Sequence, residues 1–269
     1  MKQKTIKEKC IFKGIGIHSG KTVTMVVLPA QENAGIVFKR VDCVGEILVS
    51  IENVSPANRA TILQKDGVRV CTPEHFLAAC YALGISNLIV EIDAEEVPIM
   101  DGSSLDFLNG FLKVGIVEQL AEIKAIILAE PIIVKDGEKQ ILALPDDEFK
   151  ITYILEYDNF IGTQINSFKI TATTFEKQLA SARTYGFYSE VKALMERGLA
   201  QGGSFDNAVV IGENDYMNEL RFSDELVRHK ILDCIGDFAI LGVPVKAHFI
   251  AMKSGHSLNH KLVRELSYL

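Results

Sequence analysis

An α+β fold, with a two-layer sandwich in each half of the chain, is what the sequence predicts. Three observations predict it. Runs such as KTVTMVVLP, GIVFKR, GEILVSI and GVRVCT alternate apolar with polar residues, the period of half-buried strands. HFLAACYAL and LVRHKILDCIGDF switch to a helical period. The same alternation of strands and helices resumes after about residue 125. Strands paired with helices that cover one sheet face give a two-layer sandwich. A chain of 269 residues accommodates one large or two small domains.

In chain order, the early strands lead to a helix expected from Glu74 to Leu83. Thr72 is its expected N-cap and Pro73 its first helical residue. A strand in NLIVEID and a helix from Ser104 to Val114 complete a first domain, residues 1–121. The second, residues 125–269, opens with strands in IKAIILAEPIIVKD and KQILALP. Strands in FKITYILEY and NSFKITATT follow, then a helix beginning near Phe175. A helix from Phe222 to Leu241, a strand in VKAHFIAM and a final helix close the chain.

Composition excludes several classes. Hydrophobic residues make up 48% and charged residues 23%, enough for a substantial core. The net charge of -7 argues against a general nucleic-acid binder, so an anionic substrate requires a local basic patch. No apolar stretch approaches the ~20 residues that span a bilayer, so no stable membrane insertion is expected. The N-terminus MKQKTIKEKCIFKG has no apolar core of a secretory signal. Five cysteines without a CxxC pair suit reduced thiols and a cytoplasmic location.

Three short constellations carry chemistry. His229, Asp233 and Asp237 are spaced by four in the long helix, so they stack on one face. An imidazole and a carboxylate one turn apart can chelate a divalent metal. The third carboxylate can orient another group. A solvated helix surface would show the same spacing. Cys234 points about 100° away and is not read as a ligand. Glu74 and His75 lie in the first turn of their helix, where free N–H groups favour a carboxylate. A Glu there commonly does no more than complement the dipole. His256 follows Ser254-Gly255 at a strand-to-helix turn, where side chains often reach into sites. His248 and His260 read as structural or solvated, and His18 as turn or site.

Together these segments resemble the UDP-3-O-acyl-N-acetylglucosamine deacetylase family. The resemblance runs through GIGIHSGK, NAGIVFKR, TPEHFLAACYALGISNL, PIMDGSSLDF, SARTYGF, GLAQGGSFDNAVV, LRFSDELVRHKILDCIGDF and KSGHSLNHKL, in that order. Pro73, Ser86 and Tyr185 depart from the usual Val, Asp and Phe. The resemblance implies two similar two-layer sandwiches packed with their helices inward and an active site between them. It also implies zinc-dependent hydrolysis of a sugar acetamide, the committed step of lipid A biosynthesis.

On that basis His75, His229 and Asp233 are expected to hold zinc, leaving a coordination position open for water. Glu74 is expected to be the general base, and His256 the protonated group that stabilises the oxyanion and delivers a proton to the leaving amine. Asp237 would orient His256 and raise its pKa. Thr184 would help to bind the oxyanion, and Lys230 would contact substrate or the developing charge. For the acyl chain, the stretch holding Phe187, Val191, Leu194, Ala200, Gly203 and Phe205 is a candidate wall. Its helical apolar spacing is better explained as ordinary core. Lys253 is a candidate for the diphosphate and Tyr157 for stacking on the uracil. The expected partner is an acylated UDP-sugar and the expected state a monomer. An amidase for another N-acyl sugar, or a non-catalytic sugar-nucleotide binder, are the alternatives; the second predicts loss of a ligand or of Glu74, and neither is lost.

Overall fold

The computed structural model describes residues 1–56 and 60–269. The first half runs through β1 (Lys2–Ile6), β2 (Cys10–Ile15), β3 (Thr22–Pro29), β4 (Ile36–Arg40) and β5 (Gly45–Leu48). Then come β6 (Val54–Ser55), β7 (Ile62–Lys65), β8 (Val68–Cys71), α1 (Glu74–Leu83), β9 (Leu88–Ile92) and α2 (Leu105–Val114). β10 (Ile116–Glu122) pairs antiparallel with β1.

The second half holds β11 (Ile126–Ile127), β12 (Ile132–Asp136), β13 (Lys139–Pro145), β14 (Phe149–Glu156) and β15 (Thr163–Lys169). It continues with a one-turn helix α3 (Ala172–Thr174), β16 (Tyr185–Phe187), α4 (Tyr188–Glu196) and β17 (Val209–Ile211). α5 (Glu225–Phe238), β18 (Val245–Met252) and α6 (His256–Leu266) end the chain.

Two sheets repeat one topology. One is ordered β2-β3-β9-β4-β5 and the other β12-β13-β18-β14-β15, with β11 added beside β18. In each, the late central strand pairs antiparallel with one neighbour and parallel with the other: β9 with β3 and β4, β18 with β13 and β14. Into this shared plan the first half inserts the small sheet β6-β7-β8, and the second inserts β16-α4-β17.

Alternation supplies the core. Val23, Met25 and Val27 of β3, and Val245, Ala247, Phe249 and Ala251 of β18, turn inward, as the period of two requires. Phe76 of α1 packs edge-on against Phe38 of β4, and the ring of Phe238 on α5 lies 4.6 Å from that of Phe249 on β18. α1 and α5 pack on each other. Gly236 permits their approach: a Cβ there would lie 2.1 Å from the Glu74 carbonyl oxygen, where no side chain fits.

Several expected boundaries differ. Thr72 is not the N-cap of α1; Pro73 holds that position, and Thr72 sits at φ 57 with its hydroxyl on Glu96. The long helix begins at Glu225 rather than Phe222, because the Glu225 carboxylate is bound by the backbone of Arg221 and by Arg183. β15 ends at Lys169 and Thr171 caps the turn that follows, so the helical segment starts at Ala172. β1 and β10 have no counterpart among the expected strands. The inward residues of β1 include Gln3 and Thr5, which bond Asn33 and Asn87 rather than apolar neighbours, so the strand lacks the hydrophobic alternation that marks one.

No helix among the described residues is long and apolar enough to cross a membrane. The five cysteines are free thiols.

Candidate active site

α5 and the first turn of α1 bring the predicted ligands together. His75, His229 and Asp233 are buried, and their ligand atoms lie within 4.8 Å of one another. Asp233 Oδ1 is 3.2 Å from His229 Nε2 and 3.6 Å from His75 Nε2. Its other oxygen, Oδ2, accepts from Lys230 Nζ at 2.8 Å. Oδ1 is buried and has no hydrogen-bond partner among the described residues. An unpaired buried carboxylate oxygen is costly, and a cation beside it removes that cost.

The imidazoles suit the same cation. His229 Nδ1 lies 3.0 Å from the Ala182 carbonyl. A carbonyl only accepts, so Nδ1 carries the hydrogen and Nε2 presents its lone pair. Burial lowers the pKa of His75, which favours the neutral, ligating form. Burial alone would raise Asp233; the Lys230 ammonium on Oδ2 opposes it, and the carboxyl is held well below its usual range. Two imidazoles and one carboxylate fit a divalent metal with an open coordination position.

A second cluster adjoins the first. His256 Nε2 is 3.8 Å from Glu74 Oε1, and His256 Nδ1 is 2.8 Å from Asp237 Oδ2. Gly255 precedes α6, so His256 is its first residue, held where β18 ends. Burial pushes Glu74 up to about 8, against the pull of His256 and with help from Asp237 and Asp233. Burial would lower His256, but Asp237 wins and raises it to about 10. Asp237 is correspondingly lowered, because His256 and His260 outweigh its burial.

Of the two readings for His260, structural or solvated, the contacts favour the structural one. Its Nε2 lies 3.3 Å from Asp237 Oδ1. Its place one turn after His256 on α6 was the only signal available to sequence reasoning. Thr61, buried beside both carboxylates, gave none. His248 bonds Thr152 away from the site.

Both clusters open on a cavity of about 470 Å³. Thr184, Lys230, Tyr157 and Phe187 line it, as do His18 and Lys139. The last is a cation that sequence reasoning did not select. The Tyr157 hydroxyl is 3.1 Å from that of Tyr185, and its ring meets Phe187 edge-on at 5.1 Å.

The remaining candidates lie elsewhere. No residue of α4 is buried, which overturns its expected role as core. Val191 and Leu194 are half-buried, and Gly203 and Phe205 are exposed. Val191, Leu194, Ala200, Gly203 and Phe205 do not line the cavity. The segment after α4 is clipped to the first half through Gln201 N to His18 O at 3.1 Å and Gly202 N to Ile17 O at 3.0 Å. Lys253 is also outside the lining, with Nζ 3.0 Å from Glu156 and 3.4 Å from Glu138.

The model of the UDP-3-O-acyl N-acetylglycosamine deacetylase family matches residues 3–268. Similar curated proteins carry the name UDP-3-O-acyl-N-acetylglucosamine deacetylase. One, from Saccharophagus degradans, is 44% identical over 99% of this chain and 90% of its own length. Another, from Geotalea uraniireducens, is 42% identical over 98% and 88% respectively. A third, from Thermodesulfovibrio yellowstonii, is 41% identical over 98% and 91%.

Proposed function

The chain belongs to the UDP-3-O-acyl N-acetylglycosamine deacetylase family, and from that premise we propose how its residues carry the reaction. It is a hydrolase that converts UDP-3-O-acyl-N-acetylglucosamine to the free amine and acetate, in lipid A biosynthesis. We assign the metal to zinc, held by His75, His229 and Asp233. The observation that carries this is the buried, unpaired Asp233 Oδ1 between two imidazoles that line the cavity. When bound, zinc supplies Lewis acidity that polarises an amide carbonyl and acidifies water.

Glu74 accepts a proton from the attacking water as the oxygen bonds to the acetamide carbon. Thr184 and protonated His256 face the oxygen that gains charge. Lys230 holds Asp233 through Oδ2 and adds positive charge at the cavity wall. The C–N bond then breaks, and His256 gives its Nε2 proton to the departing amine. Asp237 keeps His256 protonated and oriented. Lys139 lines the cavity and is a cation available to a diphosphate; Lys253, engaged by two glutamates, is a weaker candidate. Tyr157 offers a ring face for the base.

We further divide the chain into units 1–121 and 125–269, each a two-layer sandwich with helices inward. The repeated strand order and the α1–α5 contact support this. A cytoplasmic monomer remains our expectation. The direct test is a deacetylation assay on the acylated UDP-sugar beside UDP-N-acetylglucosamine. Equal turnover of both would overturn recognition of the acyl chain.

The pH profile of kcat/KM should be bell-shaped. Glu74 must be ionised, so the rate rises as pH climbs through its pKa, about 8 without a cation and lower with one beside it. His256 must be protonated, so the rate falls as pH passes about 10. In His256→Gln the falling limb should weaken or vanish. An unchanged falling limb would assign it to another group.

The acyl chain is proposed to run from the cavity past Phe187 along α4. Val191→Trp, Leu194→Trp and Gly203→Trp should then lower kcat/KM for the long-chain substrate and spare the metal. Each buried methylene contributes roughly 0.8 kcal/mol, so several lost contacts cost orders of magnitude. Normal turnover by all three variants would place the chain elsewhere.

A further inference from the structure

We propose that Thr61 is a positioning residue that fixes two carboxylates, the base Glu74 and Asp237, which orients His256, relative to each other. This rests on the mechanism above. Thr61 is fully buried, just ahead of β7, and it touches both groups through different atoms. Its backbone N–H donates to Glu74 Oε2 at 3.3 Å. Its hydroxyl donates to Asp237 Oδ1 at 2.6 Å. Glu74 and Asp237 belong to different helices, and no other described residue is seen to hydrogen-bond both.

Each contact has a consequence. On Glu74, the N–H occupies Oε2 and leaves Oε1, the oxygen 3.8 Å from His256 Nε2, as the one that takes a proton. On Asp237, the hydroxyl completes a cage. Oδ2 accepts from His256 Nδ1 at 2.8 Å and from Asn259 Nδ2 at 2.7 Å. Oδ1 accepts from Thr61 and, at 3.3 Å, from His260 Nε2. A carboxylate offers about four lone-pair sites, so all are taken. Asp237 is then locked in rotation as an acceptor, and it holds the His256 ring with Nε2 toward Glu74. Since the hydroxyl hydrogen is committed to Asp237, the 3.0 Å contact from His260 Nε2 to Thr61 Oγ1 is donated by the imidazole. That places a hydrogen on His260 Nε2, shared between Thr61 Oγ1 and Asp237 Oδ1.

The test compares Thr61→Val, which keeps shape and backbone N–H but deletes the hydroxyl, with Thr61→Ser, which keeps both donors. Thr61→Val should lower kcat about 10- to 100-fold, the size of a hydrogen bond to a charged group. KM should stay within about twofold and metal content should match the parent, because neither ligands nor cavity walls change. Thr61→Ser should recover most of the rate. In a His256→Gln background, Thr61→Val should cost almost nothing more, since the hydroxyl acts through the Asp237–His256 pair. Normal kcat in Thr61→Val, failure of serine to restore it, or a full extra loss in the His256→Gln background would each overturn the proposal. Should Thr61→Val not fold, Thr61→Ala is read by the same kcat-against-KM split and the same background. Glu74→Ala is assayed alongside. Normal turnover there sinks the mechanism itself, whereas a crippled Glu74→Ala beside a normal Thr61→Val sinks only the role of Thr61.

Discussion

Glu74→Ala is expected to retain its metal and to lose about 10²–10⁴-fold in rate, the usual size of a general-base contribution. KM should change little, because the base acts mainly in the transition state. Metal analysis and steady-state kinetics on one preparation check both halves. Stability separates this from a helix-dipole role. A Glu that only complements the dipole stabilises by about 1 kcal/mol or less, so removing it lowers Tm. Here burial has raised the Glu74 pKa to about 8. For an acid whose folded pKa lies above its unfolded value, folding is progressively penalised as pH rises between the two. In metal-free protein, Glu74→Gln should therefore melt no lower than the parent at pH 8 and above. A lower Tm with normal turnover would return Glu74 to a structural role and leave the reaction without its base.

The second large effect concerns the metal. His75→Ala, His229→Ala and Asp233→Ala should each abolish most metal binding and activity, because three protein ligands leave no redundancy. The loss should exceed the roughly 10–100-fold that follows from mutating an outer partner of a ligand. Asp233→Ala carries a further consequence. It frees Lys230 from its 2.8 Å contact and leaves a half-buried ammonium without its carboxylate, so its Tm should fall more than that of His229→Ala. Full metal occupancy in all three after dialysis against a mild chelator would remove the site.

Much of the grouping of the candidate site residues was legible in the sequence because it is local. His229, Asp233 and Asp237 recur every four residues, and helical geometry alone puts them on one face. Glu74 and His75 are adjacent, so one helix start fixes both. The inward faces of β3, β14 and β18 follow from alternation. The family resemblance rests on motifs of this short-range kind. β1 was not legible, because its buried positions hold Gln3 and Thr5, whose partners come from remote loops. The apolar spacing of α4 suggests core, yet none of its residues is buried. Spacing shows that a helix has an apolar face and not what covers that face.

Backbone periodicity sets which residues share a turn, a face or a strand register, and the order of amino acids is enough to read those relations. Which faces meet is a matter of the folded packing. It brought His75 from α1 within ligand distance of Asp233 on α5, across a helix contact that only a glycine at position 236 allows. It turned His260 and Thr61 onto Asp237 from α6 and from the strand region before α1. It also raised the pKa of Glu74 by burying it, and that of His256, against its burial, by setting it on Asp237. Such effects depend on desolvation and on charges distant along the chain, and no local pattern encodes either.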